Sequence, residues 1–121
     1  MLESLCRETS AKHMTMTEFV YKMFLEALRC AGLDHTGSRY VSSTDSFTVC
    51  YTWIDGCVYT IFCKEEMIDF SGTGRGAVGI DTIPLLEQFA LCLEGDSPNH
   101  DKSGQKRIRH ITARIRRYAM Q

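Results

Sequence analysis

No run of about 18 apolar residues exists in this chain, so nothing in it is long enough to span a bilayer as a helix. The motifs that often announce an enzyme are missing too: there is no GxSxG, no HExxH and no DxD pair. No histidine lies near a plausible nucleophile in the linear order. There is no CxxC, and His13, His35, His100 and His110 are scattered with no i,i+4 pair, which leaves no zinc-type ligand set. The opening Met1-Leu2-Glu3-Ser4-Leu5-Cys6-Arg7-Glu8 carries two acids and no sustained apolar stretch, unlike an ordinary secretory signal. These absences lead us to expect a soluble, cytoplasmic, non-enzymatic protein with no cofactor, no metal and no membrane partner.

The most telling absence is local. Residues 102–121 contain no acid, while holding Lys102, Lys106, Arg107, Arg109, Arg114, Arg116 and Arg117, for a charge of +7. Residues 1–101 hold the other 7 bases and all 15 acids, for −8, so the overall −1 conceals a strong division between body and tail. Charge split this way suggests a basic arm for a polyanion, or a protein complementary to its own kind.

What is present fits one ordinary domain. The 121 residues are 44% apolar and 24% charged, near the globular average. Six cysteines form an even set, yet they sit inside apolar runs such as Phe47-Thr48-Val49-Cys50-Tyr51, which argues for reduced, packed thiols rather than a disulfide framework.

Residues 1–14 read as a leader, irregular or briefly helical. Thr15 reads as a helix N-cap with Glu18 completing a capping box, and the helix should end near Ala31 because Gly32 is a natural terminator. Glu18, Lys22, Glu26 and Arg29 make one narrow polar stripe, so the rest of that helix should be buried on more than one side, centrally or at a subunit interface.

Asp55-Gly56 between β-rich runs signals a two-residue hairpin turn. That turn sets Tyr51 opposite Thr60 and Val49 opposite Phe62. One face then carries Phe47, Val49, Tyr51, Trp53, Val58 and Phe62 as core. The other carries Thr52, Ile54, Tyr59 and Ile61, together with Cys50, Cys57 and Cys63, and is apolar enough to be a protein interface. Further strands are expected over Arg39–Ser43 and Met67–Phe70.

A glycine-rich stretch follows from Ser71 to Gly79. Its Gly74-Arg75-Gly76-Ala77-Val78-Gly79 formally matches GxGxxG, but it follows antiparallel hairpins instead of opening a parallel βαβ unit, and Asp81 stands where a pyrophosphate would sit. We read it as a loop with Arg75 near its tip, beside a short strand at Ala77–Ile80. A phosphate cradle serving an enzyme is the competing reading. Helices are expected over Ile83–Glu94 and, after a polar linker at 96–105, over Lys106–Met120. The expected fold is therefore α+β, a three- to four-stranded antiparallel sheet packed by helices in the order α-β-β-β(-β)-α-α, with residues 15–95 as the core domain and 106–121 as a basic C-terminal helix.

On that last helix Ile108, Ile111, Ile115, Tyr118 and Ala119 fall within one sector, while Lys106, Arg107, Arg109, His110, Arg114, Arg116 and Arg117 spread over the opposite half. The apolar seam should dock and the basic half face outward. Arginine forks suit phosphate or carboxylate. The partner expected is nucleic acid or a nucleoprotein complex, with Arg75 able to assist. A protein with an acidic surface, bound by an inhibitor or adaptor, and a homodimer remain open alternatives, as does a merely solvated face.

Overall fold

A computed structural model describes residues 14–54, 56–72 and 83–119. Within them the elements run α1 (Met16–Ala31), β1 (Arg39–Val41), β2 (Ser46–Thr52), β3 (Val58–Lys64), β4 (Met67–Gly72), α2 (Ile83–Gly95), a 3-10 turn (Ser97–Asn99) and α3 (Lys102–Ala119). The strands form one antiparallel meander in spatial order β1-β2-β3-β4. This is the α+β order expected from the sequence. The readings that fall on residues 1–13 and 73–82, among them the leader, Arg75 and the short strand at 77–80, lie outside the described residues.

Local chemistry explains the start. The Thr15 hydroxyl accepts from the Glu18 amide at 3.0 Å, and Gly32 takes the left-handed φ of 71° while its amide returns to the last carbonyls of α1. Thr15 also donates to Asp45 at 2.6 Å, where Tyr40 donates at 2.5 Å, so the helix start is tied to the β1–β2 turn. Val20, Phe24, Ala27 and Leu28 point into the core. The remaining apolar girth has local explanations: Phe19 meets the His100 ring edge-on at 4.7 Å, and Tyr21 leans on Phe47 at 5.4 Å. α1 lies between β2 and α2, which accounts for burial on more than one side.

The hairpin corrects the sequence reading. Trp53 N donates to the Cys57 carbonyl at 2.9 Å, and Gly56, at φ 85°, donates to the Trp53 carbonyl at 2.9 Å. This is a three-residue loop with its glycine in the left-handed region, not a two-residue turn. The register shifts by one: Tyr51 faces Tyr59, Val49 faces Ile61 and Phe47 faces Cys63. Because side chains alternate, a one-residue shift exchanges the faces of β3. Tyr59 and Ile61, expected at an interface, are 4% and 0% exposed in the core, whereas Val58 and Phe62, expected in the core, are 40% and 43% exposed. Thr52 and Ile54 remain exposed. The same shift parts Cys63, on the core face, from Cys50 on the other.

The three described helices cover one side of the sheet. Phe24 stacks on Phe89 at 4.4 Å and meets Phe47 edge-on at 5.9 Å, joining α1, α2 and β2. Leu86, Leu93, Ile61, Ile68, Ile108, Ile111 and Ile115 fill the rest. Cys63 is buried here and its thiol pKa is pushed up to about 12 by desolvation. Cys50, Cys57 and Cys92 are half-buried and Cys30 is exposed, so packing of the thiols is less uniform than expected.

The last helix begins at Lys102, not Lys106. Asp101 holds the first turn by accepting from the Gly104 amide at 2.7 Å, and Gly104 is buried, where a Cβ would come within 3.0 Å of the His100 Cβ. The connection from α2 is therefore short, and His100 ties back to Asp96 at 3.1 Å.

Candidate polyanion-binding face

Helix α3 presents four distinct sectors. At about 100° per residue, Gly104, Ile108, Ile111, Thr112 and Ile115 face inward, and all five are buried. One flank, toward the sheet, carries Arg107, Arg114 and Tyr118. The other flank, toward α2, carries Arg116. The outward sector carries Lys102, Ser103, Lys106, Arg109, His110, Ala113 and Arg117, every one exposed.

The flanks are occupied by carboxylates of the same molecule. Arg107 pairs with Glu66 in the β3–β4 turn, its Nε donating at 2.6 Å. Arg114 donates from Nε to the Ile68 carbonyl at 2.6 Å and from a terminal nitrogen to Asp69 at 2.9 Å, while Tyr118 donates to Asp69 at 2.7 Å. Arg116 grips two acids of α2: Glu87 at 2.8 Å and Glu94, to which it makes two contacts. These bonds hold the Asp69, Glu87 and Glu94 carboxyls below their ordinary range, through Tyr118 and then Arg114 for Asp69 and through Arg116 for the other two. The Arg116 guanidinium is correspondingly raised, by Glu94 first and then Glu87.

The expectation that the whole basic half faces outward is thus corrected. Arg107, Arg114 and Arg116 turn sideways and fasten the helix to the β3–β4 turn, to β4 and to α2. Their partners lie 41, 45 and 22 to 29 residues away in sequence, and no local pattern reveals such pairs. Lys106, Arg109, His110 and Arg117 do face solvent, and the structure adds Lys102, a residue of the segment expected as polar linker. The available signal was Asp101, an N-cap residue type directly before it. No side chain of these five forms an ion pair or hydrogen bond with another described residue. They line one face over fifteen residue steps, about 22 Å of helix.

Elsewhere, a cleft of about 760 Å³ opens between the starts of α1 and α3, lined by Thr15, Phe19, Lys22, His100, Asp101 and Arg107. Among the described residues no group of three or more His, Cys, Asp or Glu is placed to hold a metal ion, and no helix is long and apolar enough to cross a membrane. No protein-family model, curated protein or solved structure matches the chain.

Proposed function

We propose that this is a small non-enzymatic regulatory or inhibitory binding protein that engages nucleic acid, or the charged surface of a nucleic-acid-handling complex, through the outward face of α3. The observation that carries the reading is the set Lys102, Lys106, Arg109 and Arg117, exposed along one line and unclaimed by acids among the described residues. Positive charge that no carboxylate neutralises is free to displace counterions from phosphate. The neighbouring ion pairs keep that line in place by clamping the helix from both sides.

The composition of the face favours nucleic acid over protein. A protein interface has an apolar centre and is poor in lysine, whereas nucleic-acid interfaces are polar and strongly positive. The outward sector holds no apolar residue larger than Ala113. The isoleucines of α3 are committed to the core, so none is left to insert into a lipid surface.

A mobility-shift series with sheared DNA and with total RNA tests the proposal. Binding that weakens steeply with salt is expected; no shift with either at about 50 mM salt refutes it.

A second reading rests on the sheet face opposite the helices, where Val58, Phe62 and Met67 are 40%, 43% and 55% exposed. It makes the protein an adaptor or inhibitor of another protein, or a homodimer. Light scattering that reports a dimer lost on Phe62→Asp would favour it over the first.

A further inference from the structure

We infer that the partner of the α3 face is the phosphate backbone of a nucleic-acid duplex, held without regard to base sequence; this rests on the reading above and narrows it. The first argument is shape. α2 packs alongside α3 and is pinned to it by Arg116 through Glu87 and Glu94. Two packed helices lie about 8–10 Å axis to axis, making a layer near 20 Å across. The major groove is only about 12 Å wide and admits a single helix. On the other flank β4 is bound by Arg114. Flanked on both sides, α3 meets the duplex with its outward sector alone, against the rim.

The second argument concerns the rim itself. One strand of a duplex carries a charge about every 3.4 Å of axis, so a face about 22 Å long passes some six phosphates. Four fixed-charge side chains in line on a rigid helix suit such a regular, stiff row. Ser103 and Ala113 lie among them and are small enough to let the backbone approach. Single-strand binding relies on aromatic platforms for the bases, and this sector offers no Phe, Tyr or Trp, only the His110 ring. Tyr118, the aromatic of α3, is turned to the flank, bonded to Asp69 and packed on Phe70 at 5.0 Å.

Neutralising about four phosphates gives a slope of log K against log salt near −3.6, and from about 50 to about 200 mM salt the affinity should fall on the order of a hundredfold. The test is fluorescence anisotropy with the whole protein and four labelled probes about two helical turns long. Two are DNA duplexes of unrelated sequence, one is an RNA duplex, and one is single-stranded oligothymidylate. The expected result is binding to at least one duplex type at micromolar concentration, a slope near −3.6, and DNA affinities for the two sequences within about threefold of each other. Oligothymidylate bound as tightly as either duplex type overturns the duplex inference while leaving the polyanion reading standing. A difference above about tenfold between the two DNA sequences also overturns it, because only base or shape readout yields that. Failure of all four probes at low salt overturns both.

Discussion

Placing one lysine at each of two adjacent positions on β3 tests the observed register. Ile61 is fully buried in a central strand between Val49 and Phe70. Ile61→Lys forfeits the burial of a large aliphatic side chain, about 1.5–3 kcal/mol. It also leaves an amine in the core that must stay neutral or pull the strand toward water, which costs at least about 2 kcal/mol more. The sum, about 3.5–5 kcal/mol or above, is a large part of the whole stability of a domain this size. Phe62 is 43% exposed on the open face and its cross-strand neighbour is Asp69. Phe62→Lys keeps its stem on the sheet and gains an opposite charge, so it should fall within about 1 kcal/mol of the parent. At about 4 °C per kcal/mol, thermal unfolding should drop by less than about 4 °C for Phe62→Lys and by more than about 15 °C for Ile61→Lys, if the latter folds at all. Circular dichroism melts with the two proteins side by side give the answer. A well-folded Ile61→Lys beside a collapsed Phe62→Lys would refute the register and return Ile61 to the surface.

Two more outcomes follow from the turn and the clamps. Glu65 and Glu66 occupy a two-residue turn at φ 52° and 69°, a left-handed conformation that Asn and Gly adopt readily and Glu does not; Glu65→Asn should therefore raise stability by about 0.5–1 kcal/mol in urea unfolding. Asp69, Glu87 and Glu94 have folded-state pKa values below their unfolded ones, so the unfolded chain takes up protons first as pH falls. Their contribution is fully present above the ordinary carboxylate values, about 3.9–4.3, and is lost as pH drops through the lower folded values. Urea midpoints should thus hold steady near neutrality and decline below about pH 4, with a shallower acid decline in Arg116→Gln. An acid limb unchanged by that substitution would count against the clamp.

Much of the architecture was legible because local and tertiary signals agreed. Thr15, Glu18 and Gly32 delimit α1 as their chemistry requires, and the alternating runs on either side of Asp55-Gly56 made the central hairpin unmistakable. The register was not legible, for a definite reason. Both faces of β3 are apolar, Val58 and Phe62 on one and Tyr59 and Ile61 on the other, so alternation did not choose between them. Gly56 serves a two- or a three-residue loop equally well. The candidate face was half legible. Helical periodicity separated the isoleucines from the bases, but not the bases that face water from those that reach a carboxylate on another strand or helix. Arg116 and Arg117 are neighbours of the same type; one is held by Glu87 and Glu94, the other is free to meet a partner. That distinction exists only after folding.

The same distinction supplies the most direct test. Lys102→Gln/Lys106→Gln/Arg109→Gln/Arg117→Gln removes the outward line, while Glu87→Gln/Arg116→Gln removes a flank pair and leaves net charge unchanged. Duplex affinity at about 50 mM salt and thermal unfolding should be measured for both. The quadruple variant should lose binding and melt within about 2 °C of the parent, since exposed substitutions away from packing shift stability little. The flank variant should melt lower yet bind within about threefold of the parent. Full binding by the quadruple variant, or loss of binding confined to the flank variant, would contradict the assignment of the outward face of α3 as the surface this protein works through.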